Sequence, residues 1–224
     1  MKKLILSLIL IASILGCNND VKTSSNVSSL NSPHTVASQD NSQANLPVKA
    51  DKIKFKTAGG TDLFSLKQQA DGAKLIDGND KEFARIKTDE SGKVKIKNAS
   101  DKVLGYVITQ KGYWKIENAE QNKDLYIFRQ KNNTDYQLED ASKKQVYQIK
   151  ARNNGFEIET PDKKLVYKVK VKEGKTSLRN ASDKTVFSTK SDLSPIAFTC
   201  FGLDALTREQ QAGLAYAVNL AKGQ

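Results

Sequence analysis

The chain has 224 residues, 36 of them Lys or Arg and 25 Asp or Glu, for a formal charge of +11. That length suits one sizeable domain with processing segments. The charge suits anionic lipid, polysaccharide or nucleic acid, or simply a soluble surface on which lysines alternate with apolar residues. The single histidine, His34, lies in a polar stretch outside the expected folded region. Ser-His and Cys-His nucleophile pairs and imidazole zinc sites are thereby removed from the domain.

Met1-Lys2-Lys3 is a basic start, followed by an apolar run from Leu4 to Leu15 broken by Ser7 and Ser13. The run is too short to span a bilayer comfortably and reads, over residues 1–16, as a secretion signal. Ile14-Leu15-Gly16-Cys17 resembles the lipobox of bacterial lipoproteins. The resemblance implies cleavage before Cys17 and a lipid anchor on Cys17, holding the protein by a membrane of a bacterial cell envelope, outside the cytoplasm. Asn18 stands where many inner-membrane lipoproteins carry a retaining Asp, which favours an outer membrane or periplasmic face. Without Lys2 and Lys3 the mature chain keeps 34 basic and 25 acidic residues, a charge of +9. After Cys17, the stretch to residue 50 is rich in Ser and Asn and poor in large apolar side chains, so residues 17–50 read as the lipidated Cys and a flexible tether. A coil of that length spans about 30 Å. With Cys17 lipidated, Cys200 has no disulfide partner in the chain, and its apolar surroundings read as those of a small buried hydrophobe.

From about Asp51 to Leu193 the chain repeats itself roughly every twenty residues. Turn residues recur at Asp77-Gly78, Asn98-Ala99, Asn118-Ala119, Asp140-Ala141, Thr160-Pro161 and Asn180-Ala181, with Gly72, Gly92, Gly112, Asn133, Gly155 and Gly174 between them. Asn, Asp and Gly suit turns because they tolerate positive φ or bond their own backbone. Between turns the period is two, as where Val94 and Ile96 alternate with Lys93, Lys95 and Lys97. The second run of each unit carries an apolar doublet such as Leu125-Tyr126 or Val166-Tyr167. The pattern predicts a mainly β fold, an antiparallel meander of about 12–14 strands. Closure into a barrel would remove its edges but leave a lumen too wide for wall side chains to fill.

A filler follows in residues 194–224. Ser194 is an N-cap candidate and Pro195 suits the first helical position. The stretch Pro195–Leu206 is apolar nearly all round and predicts a buried helix threading the barrel. Thr207-Arg208-Glu209-Gln210 reads as a capping box opening a second helix, amphipathic through Leu214, Val218 and Ala221. That helix is expected to cap one mouth, or else to dock a partner or membrane.

Strand pairs of the form apolar-x-apolar-x-[Asn/Asp]-[Ala/Gly], a Lys-rich turn, an apolar-aromatic doublet and a C-terminal hydrophobic helix resemble the tubby C-terminal-like superfamily, which includes the LURP-one-related proteins and phospholipid scramblases. The resemblance covers Asp51 to about Leu206. It implies a closed barrel around a central helix, but no headgroup-binding motif of tubby proteins is matched, so no site residues transfer.

No glycine-rich phosphate loop is present; Ala58-Gly59-Gly60-Thr61 reads as a hairpin turn. Glu117, Asp140, Glu157 and Glu159 read as surface acids, Asp204 as a helix-ending residue, and Trp114 as a core residue beside an exposed Tyr113. The expected function is a non-enzymatic binding module without metal or cofactor. Its partner would be anionic lipid or envelope polysaccharide, engaged through Lys93, Lys95, Lys97, Lys168, Lys170 and Lys172; nucleic acid is not expected. The alternative is a structural lipoprotein recognising another envelope protein through its loops or last helix. An enzyme would need carboxylates alone.

Overall fold

A computed structural model describes residues 52–222; the expected signal, Cys17 and the expected tether lie outside them. Fourteen strands follow in order: β1 (Lys52–Thr57), β2 (Asp62–Gln69), β3 (Gly72–Asp77), β4 (Glu82–Thr88), β5 (Val94–Asn98), β6 (Val103–Gln110), β7 (Tyr113–Glu117), β8 (Asp124–Gln130), β9 (Tyr136–Asp140), β10 (Gln145–Arg152), β11 (Gly155–Glu159), β12 (Leu165–Lys172), β13 (Lys175–Asn180) and β14 (Thr185–Thr189). Each pairs antiparallel with its sequence neighbours, and β1 closes on β14. The expected closed barrel is what the chain forms.

Eight hairpins share one turn, seven of them with a bulge and one, at Asp89, without. At Asn98 the Asp101 amide donates to the Asn98 carbonyl (3.1 Å), the Asn98 amide donates to the Lys102 carbonyl (2.9 Å), and Asp101 holds φ 63°. This is a type I turn followed by a left-handed residue. Equivalent bonds close the turns at Thr57, Asp77, Asn118, Asp140, Thr160 and Asn180. Asn and Asp begin these turns because the side-chain oxygen takes further amides: Asn98 Oδ1 accepts from Ser100 and Lys102, and Asp140 Oδ1 from Ser142 and Lys144.

Directly after each of these turns except the one at Asp89, the second strand carries an extra residue. Phe55 pairs with Phe64 and Lys56 with Asp62, leaving Leu63 over; Phe83, Leu104, Leu125, Val146, Val166 and Val186 are left over in the same way. These seven bulges account for the apolar doublets, which break strict alternation. A bulge bends its strand and increases local twist, and seven of them around the ring help curve the sheet to closure.

Ser194 Oγ accepts the Ala197 amide (3.4 Å) and Pro195 opens α1 (Pro195–Thr199), which tightens into one 3-10 turn, Cys200–Gly202. The helix is shorter than the expected Pro195–Leu206, because Leu203 leaves helical geometry. The capping box forms as read: Gln210 Oε1 accepts the Thr207 amide (3.0 Å) and Thr207 Oγ1 accepts the Gln210 amide (3.3 Å). It opens α2 (Arg208–Lys222).

The expectation for α2 needs correction. Gln211, Ala212, Leu214, Ala215, Ala217 and Val218 are all buried, and a Cβ on Gly213 would stand 2.5 Å from Ile96 Cδ1, a side chain of the barrel interior. The helix therefore lies inside the lumen against β5–β7, while α1 packs on β11–β13. Asn219 Oδ1 accepts the Ser194 amide (2.9 Å), tying the end of α2 to the start of α1, so the two run antiparallel. One helix is roughly 10 Å across and does not fill a lumen ringed by fourteen strands; two do.

Candidate functional site

The six lysines singled out by the sequence do not form one surface. Lys93, Lys95 and Lys97 belong to β5 and its approach, and Lys168, Lys170 and Lys172 to β12; the two strands stand seven places apart in either direction round the ring, on opposite sides. On the β5 side the ammonium groups are occupied. Lys93 and Lys95 each lie 5.7 Å from the Tyr106 ring centre, Lys93 Nζ donates to Gln121 Oε1 (2.8 Å), and Lys97 shares Asp101 with Arg85. On the β12 side Lys170 pairs with Asp183 (3.0 Å), and Lys172 touches Glu173 with both side chains more than four-fifths exposed. Lys168 has no ion pair among the described residues.

Closure explains why the β12 side differs. Residues 145–193 and 52–57, far apart in sequence, become one continuous wall of six strands, β10 to β14 and β1. That wall carries 14 basic and six acidic residues, a surplus of +8. Residues 58–144, which make the other eight strands, carry 16 basic and 14 acidic residues, a surplus of +2.

Three depressions lie on the cationic wall. The first, about 610 Å³, is lined by Arg152, Asn153, Asn154, Phe156, Glu157 and the run Lys168–Lys172. Its shape follows from register: Arg152 of β10 and Lys170 of β12 flank Gly155, which has no side chain to fill the space between them. Gly155 is obligatory there, since at φ +138° an added Cβ would meet the Val169 carbonyl oxygen at 2.0 Å. A second depression of about 310 Å³ is lined by Lys52, Lys54, Lys56, Lys175, Ser188, Thr189 and Lys190, among others. A third, about 600 Å³ at the barrel mouth, shares Lys52 and Lys190 with it. Arg152, Lys54, Lys56, Lys175 and Lys190 are the site residues that sequence reasoning missed. The signal was the charge imbalance between segments, readable only once closure joins residues 52–57 to 145–193.

Most of the wall's carboxylates are committed, while Asp192 at the mouth is exposed and unpaired among the described residues. A hydrogen bond from Lys170, outweighing desolvation and aided by the charges of Lys170 and Arg179, holds Asp183 below its ordinary value. Glu159, expected on the surface, is buried beneath Lys150 (2.7 Å) and Arg152 (3.9 Å). Arg152 also pairs with Glu157 (2.7 Å).

Other candidates resolve into packing. Cys200 is fully buried, and burial pushes its thiol far up, so it is an inert core residue. Trp114 is buried beside Phe128, and Tyr113 is half-buried beneath the Arg129 guanidinium (4.8 Å). Asp204 is exposed and sits by the Tyr167 hydroxyl, where burial first and this carboxylate second raise the phenol. Among the described residues no group of three or more His, Cys, Asp or Glu side chains is placed to share a metal ion, and no helix is long and apolar enough to cross a membrane.

No family model and no curated protein matches the chain. Among solved structures, an X-ray structure of a protein from Arabidopsis thaliana is similar at 12% identity, covering 70% of this chain and 91% of that one with a TM-score of 0.39.

Proposed function

We propose that this chain is a bacterial envelope lipoprotein, anchored through Cys17 and displayed outside the cytoplasm. Its tubby-like barrel acts without catalysis as a binding module for an anionic surface. Lipid headgroups suit the anchoring best, and envelope polysaccharide offers the same charge. The observation that carries the reading is the surplus of +8 on one wall. In the groove over Gly155, Lys168 lacks an ion pair among the described residues and Lys172 has a solvated one. Lysines near an anionic bilayer contribute about 1 kcal/mol each, so a few of them suffice once a lipid chain supplies the anchor.

Vesicle co-sedimentation tests the reading. Binding to vesicles containing phosphatidylglycerol should weaken with salt. Lys168→Glu with Lys172→Glu should lower it about tenfold or more, while Lys93→Glu with Lys95→Glu leaves it within about twofold. Equal loss from both pairs would mean that total charge, not this wall, does the binding. The other reading, an assembly lipoprotein recognising another envelope protein through its loops or last helix, rests mainly on the loops, since most of that helix is buried in the lumen.

A further inference from the structure

We propose that the seam between β1 and β14 is a strand-addition site for an extended acidic segment of a partner protein. Thirteen of the fourteen neighbouring strand pairs share four to six residue pairs. The seam has two, Lys56 with Ser188 and Thr57 with Phe187. From Lys52 to Phe55, β1 is paired with β2 on one side and with no described strand on the other. Alternate residues of that stretch point their N–H and C=O groups into the seam, and such groups are what an incoming strand pairs with.

The barrel does not depend on those groups for closure. Five phenylalanines hold the seam from inside: Phe55 stacks on Phe64 with ring centres 4.3 Å apart, Phe187 lies 6.1 Å from Phe55, and Phe201 and Phe198 of the plug lie 4.8 and 6.1 Å from it. Side chains thus seal the lumen while the backbone edge stays available, and a guest strand need not open the core.

Charge selects the guest. Lys52, Lys54 and Lys56 alternate along one side, Lys175 and Lys190 stand on the other, and the depression between them runs into the one at the mouth. Lys52 pairs with Asp80 and Lys54 and Lys56 share Asp62, so this row is partly neutralised, whereas Lys175 and Lys190 have no ion pair among the described residues and supply the uncompensated charge. A second copy of the seam would bring the same five cations, so self-pairing is opposed, as is usual for lysine-guarded edges. A strand with acids at every second position meets the lysine row at the strand's own period.

The proposal does not rest on lipid binding, which runs through Lys168 and Lys172, so either can fail alone. The test uses the full chain and a blocked heptapeptide of alternating Glu and Val. Binding should slow exchange of the seam-facing amides among residues 52–55 about tenfold or more. It should fall about tenfold in the Lys175→Glu, Lys190→Glu variant, whose exposed sites leave folding intact. Methylating one alternate set of peptide amides, with every charge kept, should abolish binding, while the other set is tolerated. Equal binding of both methylated peptides overturns the proposal in favour of charge alone. Slow exchange of those seam-facing amides in the free chain overturns it too, since the edge would then be occupied. Protection appearing instead at residues 153–172 does the same.

Discussion

The two walls of the barrel are made from the same unit and carry different surfaces. Around β2 to β9 the outward charges neutralise one another: Arg85 bonds Glu82 and Asp101, Lys74 reaches Glu82, Lys87 reaches Asp71, and Lys115 reaches Asp124. Around β10 to β1 the same turns and bulges support a surplus of +8. The fold is fixed by inward side chains, turn residues and obligatory glycines, all alike in both walls. The outward positions are therefore free of the fold, and an imbalance confined to them is not explained by stability.

The harshest way to break the comparison is to remove what both walls share. Phe198→Ala, in the aromatic cluster of the plug, should cost about 3–5 kcal/mol by chemical denaturation. It should lower amide protection in both walls together; loss in one wall alone would show that they unfold separately. Next come matched glycines. An added Cβ at Gly72 meets the Ile86 carbonyl oxygen, and one at Gly155 the Val169 oxygen, each at 2.0 Å. Gly72→Ala and Gly155→Ala should both destabilise, each by roughly 3 kcal/mol, as denaturant midpoints will report.

Acid should then separate the walls. Asp71 is held down by its hydrogen bond from Lys87, Asp80 by that from Lys52, and Asp101 by the charge of Arg85 and its bond from Lys97. A carboxyl lowered in the folded state stabilises fully above its ordinary value of 3.8 and loses that contribution as pH falls through the lowered one. Exchange measured at descending pH below 3.8 should show β2–β5 losing protection before β11–β13, where Asp162 and Asp183 are the acids so held. The smallest effect is a gain. Lys163 holds φ 65° in a turn, so Lys163→Gly should raise stability by about 0.5–1 kcal/mol in thermal melts, without altering vesicle binding more than one lysine would.

Much of this architecture was legible because turns announce themselves: Asn98, Asp140 and Asn180 are where a side-chain oxygen must take backbone amides, and they recur with the strand pairs. The bulges were visible as doublets such as Val186-Phe187, although alternation alone gives no reason for them. The place of α2 was hidden by small residues. Ala212, Gly213, Ala215 and Ala217 look like neither an apolar stripe nor a polar face, yet their smallness lets the helix lie against Ile96 and Val107. Gln211 reads as polar but is buried, bonding the Leu203 carbonyl at 3.1 Å. The six candidate lysines were chosen for alternation with apolar neighbours, a property of every strand here. Only closure decides which of them share a face.

The pair of helices that fills the lumen is the last part of the described chain to leave the ribosome. Every strand is synthesised before the side chains it must enclose, and a product ending short of Phe198 is a wall with nothing to wrap. Truncated chains are thereby denied a native-like resting place and stay open to degradation, so the order of synthesis itself acts as a check on completeness.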